Sequence, residues 1–291
     1  MLSQVLANSL ISGGIYSLVT VGFALIYAVG GFFDMSFGAS LLIGGYFGYV
    51  CYRLLSLNLM LALVISGLVA GGFGVFLEGF LFRPLARRNA PSLIFFIASL
   101  GILIAIQSLI TLIFGSEMKV MHPGAYPTIP LFGMRITQAQ AGIFLISLVI
   151  LLGVFFVFHR TDFGRKVRAV ADDRYLGEVI GLPVRRTLIG IFFVGAALAG
   201  IAGVLLGLEL PLEPSLGLKA VLWAVVASII GGVGNIGGAI LGAYLVGAME
   251  NIAVIVFPAE WKTAILFIIL VLFLLLRPRG ILGVETRKVE G

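Results

Sequence analysis

Thr161–Arg186 reads TDFGRKVRAVADDRYLGEVIGLPVRR, and together with Arg160 it holds 11 of the chain's 32 Asp, Glu, Lys and Arg residues. On either side the sequence turns oily: Ala139–Phe158 before it and Leu188–Leu208 after it contain none of those four residue types. Crossing a bilayer takes roughly 20 apolar residues, so both flanks are membrane spans and the charged island lies outside. Its pattern predicts two short helices. Asp162 can cap one running through Arg165 to Ala171, and Asp172 can cap a second that Gly181 and Pro183 end. Val167, Val170 and Ala171 on the first, with Leu176, Val179 and Ile180 on the second, supply apolar contacts beside Arg165, Arg168, Arg174 and Glu178. A surface helix pair between spans fits a docking site for a motor; a solvated loop that only enforces topology fits the composition about as well.

Outward from the island the same contrast repeats. Hydrophobic residues make up 60% of the 291 and charged residues 11%, against about a quarter charged in soluble domains; the mean hydropathy is +1.18. Nine apolar segments follow: Leu6–Ala28, Gly38–Tyr52, Leu57–Phe80, Leu93–Phe114, Ala139–Phe158, Leu188–Leu208, Val221–Val233, Gly237–Val256 and Thr263–Leu276. The first lacks the basic flank of a cleavable signal and is expected to be a retained span. Gly38–Tyr52, Val221–Val233 and Thr263–Leu276 are short, hence tilted, broken or covered by neighbours. The expected fold is an all-α polytopic membrane protein of about 8–10 transmembrane helices, one domain over residues 1–291.

Basic residues set the orientation. Arg83–Arg88, Arg160–Arg186 and the tail from Arg277 hold 14 of the 19 Lys and Arg residues, leaving Arg53, Lys119, Arg135, Lys219 and Lys262 for the other side. By the positive-inside rule the N-terminus faces out and the C-terminus in, unless the chain dips rather than crosses near Asp34. The net charge of +6 is explained by these flanks, so no nucleic-acid partner is expected.

Chemistry is sparse. Cys51 is the single cysteine, and His122 and His159 lie in different segments, so no disulfide or metal cluster is expected. No Ser/His/Asp set or paired carboxylate site is present, so the chain is not expected to be an enzyme, and serines such as Ser99 fit interhelical hydrogen bonding. Gly232, Gly234 and Gly237 spell G-x-G-x-x-G, but the strand and the downstream acid of a dinucleotide fold are missing. Neither Gly-Lys-Ser nor Gly-Lys-Thr occurs; without such a Walker A loop, any ATP is hydrolysed by a partner. Glycine accounts for 39 residues, about twice its usual share. Its fourth-residue ridges (Gly195, Ala199, Gly203, Gly207; Gly234, Gly238, Gly242) predict close helix packing. Asp34, Glu78 and Glu250 lie near or inside apolar spans, where ionisable groups are costly and often functional. Pairing of Glu78 with Arg83 or an arginine of the following loop, and capping of the next helix by Asp34 near the interface, are the plainer expectations for those two.

The chain resembles the permease subunits of ATP-binding-cassette importers for branched-chain and other hydrophobic amino acids, the Liv-type permeases. The resemblance lies in GGIYSLVTVGFALIYAVGGF at Gly13–Phe32, RPLARRNAPSLIFFIASLGILIAIQ at Arg83–Gln107, GRKVRAVADD at Gly164–Asp173, GLPVRRT at Gly181–Thr187, GLKAVLWAVVASIIGGVGNIGGAILGAYLVG at Gly217–Gly247 and RPRGILG at Arg277–Gly283. It implies an importer permease fold, similar to type II, in the bacterial or archaeal inner membrane. It also implies a cytoplasmic coupling segment within residues 160–187, carried by Gly164, Arg165, Arg168, Asp172, Asp173, Gly177, Gly181 and Pro183. The implied partners are two cytoplasmic ATP-binding subunits that hold the ATP and Mg, a second permease subunit in a heterodimer, and a periplasmic or extracellular solute-binding protein. No cofactor belongs to this chain. That protein could rest on the outer loops, near His122–Pro130 or near Glu209 and Glu213 beside Pro211 and Pro214. Transport would proceed by alternating access, with Tyr16, Tyr27, Asp34, Gln107 and Asn235 as candidates to line the path. Where the family often reads Asn-Phe-Ala-His-Gly, this chain has Asp34, Met35, Ser36, Phe37 and Gly38, which leaves the solute open. A urea or short-amide importer permease and an ion-coupled secondary transporter are the alternatives.

Overall fold

The structure, a computed structural model, describes residues 2–121, 127–131, 134–256, 258, 261–277 and 280–282. Each of the nine apolar segments becomes a helix. They are α1 (Leu2–Gly30), α2 (Ser36–Tyr49) continued by a π-helical turn Val50–Leu54, α3 (Leu59–Leu77), α5 (Ser92–Phe114), α6 (Gln138–Arg160), α9 (Val184–Glu209), α10 (Leu216–Gly231), α11 (Ile236–Val256) and α12 (Lys262–Leu276). A π-helical turn, Glu78–Phe82, joins α3 to the short α4 (Arg83–Arg87). Six of these are long and apolar enough to cross a membrane, and α10 and α12 are shorter apolar helices. Between α5 and α6 the strands β1 (Thr128–Leu131) and β2 (Met134–Thr137) pair antiparallel, a small addition that the all-α expectation did not contain. His122 lies outside the described residues.

Burial separates central helices from peripheral ones. In α1, 83% of the most apolar window is buried, and in α9 67%, but in α5 only 17% and in α6 22%. Composition explains the difference. The central helices carry glycine and alanine where they meet: Gly22 faces the Gly195 carbonyl, and Gly200 lies against Ala70 and the Ser66 carbonyl. Small residues let backbones approach and collect dispersion contacts that lipid cannot out-compete. The peripheral helices present large apolar side chains outward, such as Leu112, Ile113, Val149 and Phe156. Some hydroxyls inside the bundle are satisfied locally, Ser17 donating to the Gly13 carbonyl at 2.6 Å and Thr20 to the Tyr16 carbonyl at 2.7 Å, as an anhydrous setting favours, whereas those of Ser66, Ser147 and Ser228 have no partner among the described residues.

Asp34 caps, but not at the surface. Its Oδ1 accepts the backbone N–H of Ser36 at 2.9 Å and the Ser36 hydroxyl at 2.5 Å, and the residue is buried. Ser99 accepts the neighbouring Met35 N–H at 3.0 Å. Ser99 is seven residues inside α5, about 10 Å from its start at 1.5 Å per residue, so the α1–α2 junction turns beneath the basic end of the bundle. Replacing Asp34 with alanine would leave a buried hydroxyl and N–H without their acceptor, a cost of about 1–3 kcal/mol. The expected outcome is a lower thermal midpoint in detergent for Asp34→Ala than for Asp34→Asn, which keeps an acceptor oxygen.

The island folds as two helices with boundaries one residue away from those expected. Thr161, extended at φ −101° and ψ 159°, caps α7 (Asp162–Asp172) by accepting the Gly164 N–H, and Asp162 is already helical. Asp173, not Asp172, caps α8 (Arg174–Val179), accepting the Leu176 N–H at 2.9 Å. Gly181 follows at φ +80°, the left-handed conformation that ends a helix most cheaply at glycine.

Candidate functional site

Two places combine shape with chemistry, one at each end of the bundle. At the end opposite the basic loops a cavity of about 450 Å³ opens between α1, α9, α10 and α11. Its mouth is formed by the α9–α10 connection with Pro211 and Glu213, and its floor by Tyr16, Trp223 and Glu250. The Tyr16 hydroxyl donates to Glu250 Oε2 at 2.6 Å, between residues 234 positions apart. The Tyr16 and Trp223 rings are tilted against each other with centroids 4.8 Å apart. Trp223 stands seven residues inside α10 and Glu250 six from the end of α11, about 10 Å below the outer helix ends.

Among the described lining residues acidic groups outnumber basic ones. Glu209, Glu213 and Glu250 line the cavity, with Lys219 as the basic residue among the described lining residues. Lys219 Nζ donates to Glu213 Oε1. That bond, with one from Ser215, holds the Glu213 carboxyl below the usual carboxylate range.

Beside the floor α1 and α11 pack tightly. A Cβ added at Gly13 would fall on the Tyr244 ring, and one at Gly247 would meet Gly13 N at 3.0 Å. At the far end of α10 and the start of α11, Gly231 and Gly238 touch through their backbones.

At the basic end, α7 is fastened to the last turn of α6. The Arg168 guanidinium donates to the Phe158 carbonyl, and Gly164 lies so close to the Phe158 backbone that no side chain fits. Phe163 packs over Gly190 of α9. Val167, Val170 and Gly177 are buried beneath the island, while Arg165 pairs with Asp162 at its exposed surface. Asp172 is exposed, as is Pro183 just before α9. Tyr175, Leu176, Val179 and Ile180 are 74%, 56%, 66% and 70% exposed, so α8 carries an apolar face that the described residues leave uncovered. Beside it, a cleft of about 490 Å³ runs between α4, α8 and α9, with Arg83, Arg87, Arg174 and Arg185 around the buried Glu78. Arg83, Arg174 and Arg185 reach this cleft from separate segments, and none of them forms an ion pair with Glu78 among the described residues, so the expected pairing is not made.

Of the path candidates, Tyr16 lines the outer cavity. Tyr27 stacks among Phe23 and Phe33 toward the basic end, and Asp34 is the buried cap. Gln107 and Asn235 do not line that cavity. Gln107 sits on peripheral α5, its carbonyl accepting Thr111. Asn235 caps α11 through Gly238 N–H and donates to the Leu282 carbonyl at 3.2 Å, tying the α10–α11 turn to the segment after α12. Trp223 went unread in the sequence, since an aromatic residue in an apolar helix gives no signal of its own. Glu250 did give one, as a charge inside a span.

Residues 5–274 match the family described as branched-chain amino acid transport system / permease component. The high-affinity branched-chain amino acid transport system permease protein BraD of Pseudomonas aeruginosa is 32% identical, over 98% of this chain and 97% of its own. The corresponding permease protein LivH of Salmonella typhimurium is 29% identical over the same shares. Among solved structures, PsaBC from Streptococcus pneumoniae in complex with Fab superposes with a TM-score of 0.53 at 12% identity, covering 97% of this chain and 92% of that one; this likeness is one of fold.

Proposed function

From the premise that this chain belongs to the permease component family of the branched-chain amino acid transport system, we propose that it is the membrane-spanning permease of an importer for branched-chain or other hydrophobic amino acids, driven by ATP hydrolysed on partner subunits. The observation that carries the reading is the α7–α8 pair. It lies outside the spans, is clipped to α6 and α9, and exposes an apolar face over Tyr175, Leu176, Val179 and Ile180. Exposed apolar patches rimmed by charge mark protein interaction sites. Two cytoplasmic ATP-binding subunits, holding ATP and Mg, dock there and on the copy of this surface presented by a second permease, with which this chain forms a heterodimer. A solute-binding protein delivers the amino acid to the outer cavity.

The geometry supports alternating access as the transport cycle. Closure of the ATPases pushes on Gly164–Pro183, and the arginine and glycine contacts pass that displacement to α6 and α9. Packed helices that meet through glycine can slide as units, because no interlocking side chains hold their register. The sliding closes the outer cavity and opens a path toward the basic end.

The test is co-purification. The Val179→Asp, Ile180→Asp double variant is expected to reach the membrane at the same level and to retain at least fivefold less of the ATPase subunits than the parent chain. Solute uptake that persists in vesicles without any ATPase subunit, and that collapses with an ion gradient, would refute the reading.

A further inference from the structure

The cleft at the basic end is built for an anion at the membrane surface, and we infer that it binds the phosphate headgroup of an anionic phospholipid between α4, α8 and α9.

Convergence is the first ground. Arg83 and Arg87 of α4, Arg174 of α8 and Arg185 of α9 line one cleft of about 490 Å³, although long stretches of chain separate the three helices. The tendency of basic residues to gather on one side of a membrane explains their number at this end but not their meeting. Arg88 and Arg186, each next in sequence to a lining arginine, are exposed and do not line the cleft.

Second, these guanidiniums hold no partner. Among the described residues none of the four makes a hydrogen bond or an ion pair; Arg83, Arg174 and Arg185 act on Glu78 through their field alone. Each guanidinium offers five N–H donors in a planar fork that matches the oxygens of a phosphate. Glu78 and Glu178 are the acids of the lining, against four arginines. Glu78 is buried, whereas Arg87, Arg174, Arg185 and Glu178 are exposed, so an arriving anion meets three arginines and one glutamate.

Third, the cleft lies at headgroup level. The candidate span Leu59–Arg87 ends in its lining and the span Val184–Glu209 begins there. The headgroup layer is about 5–7 Å thick on each side of the hydrocarbon, and basic pockets between spans at this level suit anionic headgroups.

Fourth, its flanks are apolar and exposed. Phe76 and Phe80 lead into α4, and Leu93, Ile94 and Ile97 open α5 just after it; all five are exposed. A lipid whose acyl chains lie along these side chains has its phosphate beside the arginines, which favours a lipid over a free phosphate ion. Once bound, the phosphate ties α4, α8 and α9 together and so fastens the island to the bundle. Arg174 and Glu178, four residues apart, share one face of α8, and Tyr175 and Val179 share another, so the headgroup leaves the apolar docking face open.

The test uses the full chain purified in detergent, with the thermal midpoint as readout. The probes are dioleoylphosphatidylglycerol, dioleoylphosphatidylcholine, which has the same phosphodiester and tails with a compensating positive charge, and inorganic phosphate, which has no tails. Phosphatidylglycerol is expected to raise the midpoint saturably, half-maximally at a concentration at least tenfold below that of phosphatidylcholine. Inorganic phosphate is expected to have no effect at a hundredfold higher concentration. Arg87→Gln with Arg185→Gln is expected to raise the half-maximal phosphatidylglycerol concentration at least fivefold. Arg88→Gln with Arg186→Gln removes the same charge one position along and is expected to stay within twofold. Native mass spectrometry, counting retained phosphatidylglycerol, is expected to rank the variants in the same order whatever their stability.

Equal responses to the two lipids would overturn the inference in favour of general lipid solvation, and an equal loss in both double variants in favour of diffuse surface charge. A response to inorganic phosphate as strong as that to phosphatidylglycerol would overturn it in favour of a soluble anion. Absence of retained phosphatidylglycerol, with ATPase subunits lost from the Arg87→Gln, Arg185→Gln variant, would give the cleft to a protein partner instead.

Discussion

Valine in place of Gly164 is expected to lower ATP-driven uptake at least tenfold while ATP hydrolysis by the assembled transporter stays within about threefold of the parent. The reason is local. A Cβ at position 164 would fall on the carbonyl carbon and oxygen of Phe158, so α7 cannot remain against the end of α6 once a side chain is added. Arg168 reinforces the same joint by donating to the Phe158 carbonyl, one of the helix-terminal acceptors that lack an intrahelical donor. Arg168→Glu replaces that donor with an acceptor and is expected to uncouple similarly, with Arg168→Lys keeping a donor and part of the activity. Reconstituted vesicles in which hydrolysis and uptake are measured together decide the matter. Uptake unchanged in both Gly164→Val and Arg168→Glu would show that force does not pass through this joint.

The second large effect concerns assembly rather than coupling. Gly44 of α2 meets Gly200 of α9 so closely that an added Cβ would coincide with the Gly200 backbone, at a crossing where Leu41, Ala70 and Ala199 are also buried. Flexible side-chain ends can move aside, but a helix backbone cannot. Overpacking of well-filled interiors typically costs about 1–3 kcal/mol, and here two helices would have to part along their length, so Gly44→Val belongs at or above the top of that range. The expected observation is loss of the monodisperse peak in detergent size exclusion, or a thermal midpoint too low to measure. By contrast, Gly153→Val on peripheral α6, where nothing lies within 4 Å, is expected to behave as the parent.

The contrast between these two glycines shows what could be read in the chain. Long apolar runs bounded by charge fixed nine helices and their alternation, because crossing lipid leaves the backbone few options. Cap positions were harder: Asp162 and Thr161 are adjacent and both can cap, and the choice depends on which residue adopts extended dihedrals where α6 stops. Fourth-residue glycine ridges announced tight packing, although not which helix each ridge would meet. The cavity floor lay furthest from reach. Tyr16 and Glu250 were each visible, one as a candidate and one as a buried charge, but their hydrogen bond joins the first long helix to one near the other end of the chain. Gln107 and Asn235 read as polar residues near spans, and the structure gives them backbone and capping partners elsewhere.

Beside the cavity floor α1 and α11 meet through glycine main chain, with Gly13 set against Gly247. A seam made of side chains could flicker open by rotamer hops on a nanosecond scale, but where two main chains touch, nothing smaller than a whole helix can move aside. Parting them is a collective motion of the slower, microsecond-to-millisecond kind.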